Sequence, residues 1–88
     1  MNVRYFAAAR AAAGFEEEMF DLADGTTVAG LLEAIRSVKR PEPPAGTPPL
    51  TNILARSSLL LNEVAVRDHS TVVGPNDVVD VLPPFAGG

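Results

Sequence analysis

Val3, Tyr5 and Ala7 alternate with Arg4 and Phe6, which predicts a strand over residues 2–8. Val3, Tyr5 and Ala7 face inward in that reading, and Phe6 faces the other side. Arg10 to Gly14 is alanine-rich and predicts a turn or short helix closed by Gly14. A second strand is expected over Glu16–Leu22, with Phe20 and Leu22 inward. Its alternation is poor, because Met19 and Phe20 fall on opposite faces, and its charge marks it as an edge strand.

Asp24-Gly25 is a turn, and Thr26 or Thr27 caps the helix after it. Val28, Leu31, Leu32, Ile35 and Val38 recur at spacings of three and four, which is one helical face. Lys39 and Arg40 stand at the C-terminal end, where positive charge is favoured, and Pro41 stops the helix. Residues 40–50 carry five prolines, which forbid a helix or a central strand and predict a mobile loop. Thr51–Arg56 is expected to form a short turn of helix.

Leu59–Asn62 reads as a third strand, joined by a tight turn at Asn62-Glu63 to a short partner strand, Val64–Val66. Asp68-His69-Ser70 and Gly74-Pro75-Asn76-Asp77 are turns. The last strand, 78–82, sets Val79 and Val81 on one face and Val78, Asp80 and Leu82 on the other. The first and last strands are both apolar enough to be central. The fold class expected is therefore α+β: a mixed sheet with those two strands parallel at its centre and one main helix packed on it. In that arrangement Arg4 and Asp80 share the outer face and pair across strands. Phe6 and Leu82 form an apolar patch beside them, of the kind that marks a partner surface.

Composition narrows the chemistry. Eighty-eight residues, 47% of them apolar, make one domain spanning 1–88. No apolar run is long enough to span a bilayer, and Met1-Asn2-Val3-Arg4 lacks the layout of a signal peptide, so a cytoplasmic protein without membrane contact is expected. The net charge of −4 argues against nucleic-acid binding. The absence of cysteine excludes disulfides, thiolate metal sites and cysteine nucleophiles. His69 is the only histidine, set in a polar turn, and Glu16-Glu17-Glu18 reads as a solvated edge rather than a metal site. Lys39 is the only lysine, which argues against isopeptide-linked polymers. No catalytic constellation assembles from these residues, and no cofactor or metal is expected on the chain.

What remains is the end, Pro83-Pro84-Phe85-Ala86-Gly87-Gly88. Two prolines stiffen the exit from the last strand. The four residues after them, extended, reach at most about 14 Å. Gly87 and Gly88 carry no side chain, so another protein's backbone can close around the final carboxylate.

The order of elements, the turns at 62–63 and 74–77, and the Pro-Pro-x-x-Gly-Gly ending resemble the ubiquitin-like β-grasp sulfur carriers, and among them the small subunits of molybdopterin synthase. The resemblance covers nearly the whole chain, the proline-rich loop excepted. It implies that an activating enzyme adenylates the Gly88 carboxylate with ATP and that sulfur then displaces the adenylate to leave a thiocarboxylate. It implies that the tail, Pro83 to Gly88, enters the large synthase subunit and gives sulfur to a pterin precursor. It also implies docking through the face that carries Phe6 and Leu82, with Arg10 as a further contact, and an assembly of two small and two large subunits. On this reading the chain is a non-catalytic carrier. The alternatives are a carrier for thiazole or cysteine synthesis, a ubiquitin-like protein modifier, and an interaction module with an inert tail.

Overall fold

A computed structural model describes residues 1–84 of the chain. Eight elements follow one another: β1 (Asn2–Tyr5), α1 (Ala7–Ala13), β2 (Glu17–Met19), α2 (Val28–Ser37), α3 (Leu50–Arg56), β3 (Ser58–Leu61), β4 (Val64–Val66) and β5 (Val78–Leu82). The strands form one sheet in the order β2-β1-β5-β3-β4. The first and last strands pair in parallel, with Val3 beside Val79, Arg4 beside Asp80 and Tyr5 beside Val81. All other neighbours are antiparallel. This is the mixed β-grasp sheet expected from the pattern, with β5 at its centre.

Alternation decides the core. Val3, Tyr5, Val79 and Val81 point to the helix side and are almost fully buried, as are Val28, Leu31 and Ile35 of α2. Each such side chain contributes roughly 1.5–3 kcal/mol by leaving water. Thr27 caps α2, its hydroxyl oxygen accepting the Gly30 N–H at 3.2 Å. The Val28 and Ala29 N–H groups donate to the carbonyls of Thr71 and His69 at 2.9 and 3.0 Å, so the loop before β5 completes the helix start. Val38 is extended and ends the helix ahead of Pro41.

Three expectations change. The first strand stops at Tyr5, and Ala7, expected inside, is exposed and left-handed at φ 50°. The alanine run has high helix propensity, and α1 buries Ala9, Ala12 and Ala13 at helical spacing, which a continued strand would not do. The helix therefore begins three residues before Arg10. The second strand covers only Glu17–Met19. Phe20 and Leu22 still pack on the core from outside a strand. Leu50 belongs to α3 rather than to the loop, because it is buried with Ile53 and Leu54 on one face.

The two remaining turns tie the far end of the sheet. Asn62 and Glu63 are both left-handed, at φ 50° and 72°, the geometry of a two-residue hairpin loop. The Asn62 side chain donates to Asp77 at 3.0 Å and accepts the Val78 N–H at 3.0 Å. Asp77 accepts the Gly74 N–H at 2.7 Å. The start of β5 is thus fixed from both sides.

Candidate docking face at the base of the C-terminal tail

β5 is flanked by β1 and β3 along its length, so the point where the chain leaves the sheet is set by two ladders. Beyond Leu82, Pro83 is half-buried and Pro84 exposed. Phe85, Ala86, Gly87 and Gly88, to which the sequence assigns the reactive end, lie outside the described residues.

The outer face of the sheet, opposite the helices, carries Arg4 and Asp80 side by side. The Arg4 guanidinium donates to both Asp80 carboxylate oxygens, at 2.5 and 2.8 Å. Asp80 is 5% exposed although no helix covers this face. The hydrogen bond to Asp80 raises the Arg4 pKa above its ordinary value. The two charges neutralise each other at the middle of the face, which leaves an apolar surround usable for contact.

That surround includes Phe6 and Leu82, as expected from the sequence. Phe6 is two residues beyond Arg4 in extended backbone, its N–H donating to the Val81 carbonyl at 3.3 Å. It is 40% exposed, while Leu82 is half-buried beside the tail. Two further residues belong here that the pattern did not single out. Leu60 stands opposite Asp80 on β3 and is half-buried. Phe15 is 51% exposed. The Glu16 carbonyl accepts the Tyr5 N–H at 2.9 Å, which sets Phe15 one register step further along, at the level of Phe6. The signal for Phe15 was available: it is a large apolar residue that no core pattern uses.

Arg10 lies on α1, exposed, with its guanidinium 3.4 Å from Glu16. Being solvated, this pair leaves Arg10 free to exchange partners.

Beneath the face, Glu18 corrects the reading of the acidic run as solvated. Its carboxylate turns inward and binds Arg40 at 2.7 and 3.2 Å and the Tyr5 hydroxyl at 2.8 Å. Arg40 also donates to the carbonyls of Ala13 and Ile35, at 2.9 and 3.2 Å. One guanidinium therefore joins β2, the end of α1 and the last turn of α2. Burial, and then the bond to Glu18, raises the Tyr5 pKa. This clamp positions α1, and with it Phe6 and Arg10.

Among the described residues no cluster of histidine and carboxylate groups is placed to hold a metal, and no helix is long and apolar enough to cross a membrane. Two surface hollows, of about 210 and 290 Å³, lie by the turn at 74–75 and under the proline-rich loop, away from Phe6 and Leu82.

A ThiS family profile matches residues 3–88. A molybdopterin synthase sulfur carrier subunit from Chlamydomonas reinhardtii is 32% identical over 89 residues, spanning all of this chain and 98% of that protein. SAMP1 from Haloferax volcanii shares the fold at a TM-score of 0.78 and 21% identity, over 100% of this chain and 98% of that one. Subunits 1 and 2 of the molybdopterin-converting factor from Helicobacter pylori have been solved as a complex. A chain of it matches at a TM-score of 0.59 and 22% identity, over 99% of this chain and 96% of that one.

Proposed function

The chain belongs to the ThiS family, and on that premise we propose that it is the sulfur-carrying small subunit of a molybdopterin synthase. The observation that carries this reading is the full-length relationship to a molybdopterin synthase sulfur carrier subunit, in a chain that ends Pro-Pro-x-x-Gly-Gly.

The chemistry follows from the terminus. A carboxylate is a poor electrophile and needs a leaving group before sulfur can attack. An oxygen of the Gly88 carboxylate attacks the α-phosphorus of ATP on an activating enzyme, and pyrophosphate departs. Sulfur at the sulfide level (HS−) then attacks the acyl carbon, AMP leaves with the bridging oxygen, and loss of the proton leaves a thiocarboxylate. Its sulfur bonds to a pterin precursor in the large subunit, and water cleaves the acyl–sulfur bond to return the Gly88 carboxylate. The folded body acts as the handle: the outer sheet face of Phe6, Leu60 and Leu82 docks on the large subunit, Arg10 joins at its rim, and β5 aims the tail into the active site. Two copies serve one dimer of large subunits.

Binding to the large subunit tests this docking. Phe6→Ala and Leu82→Ser are each expected to weaken binding about tenfold or more, as apolar residues at an interface centre do. Unchanged affinity in both would contradict the assignment of this face.

A further inference from the structure

Among the described residues β4 is a free edge, and its hydrogen bonds fix its backbone parity. The Asn62 N–H donates to the Val78 carbonyl at 2.8 Å. Even-numbered residues of β3 therefore direct their backbone groups towards β5, and odd-numbered ones towards β4. Leu61 pairs with Val64 and Leu59 with Val66. It follows that Ala65 directs its N–H and C=O off the sheet, into solvent. Val64, on the helix side, is 68% exposed. Glu63 and Arg67 flank the strand, both exposed, and among the described residues neither has an ion-pair partner.

We propose that this edge is a self-association surface, on which a second copy of the chain pairs antiparallel about a twofold axis through Ala65. The register is fixed by the residues themselves. Centring on Ala65 sets the outward N–H and C=O of one copy against those of the other. It places Val64 of each copy beside Val66 of the other, covering the exposed valines. It also brings Glu63, at the hairpin turn just before the strand, towards Arg67 of the other copy twice, so four unpaired charges can become two ion pairs. The other edge has no such solution: the exposed charged residues of its strand segment, Glu16, Glu17 and Asp21, are all acidic, so a second copy there would set acid beside acid. With only three residues of strand on each side, the contact is far smaller than a standard interface, and a weak, concentration-dependent dimer is expected. β5, from which the tail leaves, lies two strands away from this edge.

Sedimentation equilibrium of the full chain tests the proposal, over concentrations from about 10 μM to 1 mM, the range of a weak association. The average mass should rise from monomer towards dimer. Arg67→Glu should abolish the rise by setting acid against acid, and the double exchange Glu63→Arg with Arg67→Glu should restore it. Ala65→Pro, which removes the outward N–H without touching the β3 ladder, should also abolish it. A wild-type chain that stays monomeric throughout, or a dimer indifferent to Arg67→Glu and Ala65→Pro, would overturn it.

Discussion

Arg4 and Asp80 stand 76 positions apart in the chain and directly beside each other in the sheet, joined by two hydrogen bonds across the parallel pair of β1 and β5. The pair marks the register of β1 on β5, and a slip of one residue would carry Arg4 to the core side. Arg4→Met would leave the Asp80 carboxylate buried without a partner, and the urea midpoint is expected to fall. Arg4→Met combined with Asp80→Leu should recover most of the loss, since it removes both charges. A double variant no more stable than the single one would show that packing, not charge, sets the cost.

The Glu18–Arg40 clamp is more deeply buried, with side-chain exposures of 14% and 9%. Arg40→Met is expected to destabilise the fold by about 3 kcal/mol, because it strands Glu18 and removes the donors that end α1 and α2. Equilibrium denaturation measures this directly.

Glu63 holds a left-handed backbone at φ 72° that glycine adopts without cost. Glu63→Gly, which gives the Asn-Gly sequence favoured in such hairpins, is expected to stabilise the protein by about 1 kcal/mol. Thermal unfolding of the two chains provides the check.

Stability should also depend on acid. Asp77 titrates below the ordinary aspartate value because Asn62 and then the Gly74 N–H donate to it, and Asp68 does so because the Ser70 hydroxyl and N–H donate to it. Groups lowered on folding stabilise the native state above the unfolded value of about 3.9, and that contribution is lost as pH falls through their folded values. Urea midpoints should therefore drop as pH is lowered below about 4. Asn62→Ala should flatten part of that drop, since it removes the largest cause of the shift at Asp77.

The sequence made legible whatever depends on short periods. Alternation at Val3, Tyr5, Val79 and Val81 gave the parallel centre, and the same parity places Arg4 beside Asp80 from sequence alone. Helical spacing gave α2 and its Thr27 cap. The failures have physical causes. Tyr5-Phe6-Ala7 alternates as well as any strand, and only the burial of Ala9, Ala12 and Ala13 against the sheet decides for a helix there. Glu18 and Arg40 are residue types that default to solvent, and their meeting is a tertiary fact with no local trace. Leu60 reads as one residue of the third strand, and only its place opposite Asp80 puts it on the outer face with Phe6 and Leu82.

The account rests on the Gly88 carboxylate as the reactive group. Intact mass spectrometry of the chain, after incubation with ATP, a sulfur donor and the cognate activating enzyme, addresses it most directly. The expected result is a mass gain equal to the exchange of one oxygen for one sulfur, localised by fragmentation to Gly88 and lost when Gly87 and Gly88 are deleted. A mass that stays constant under conditions where the same enzyme converts a known carrier would contradict it.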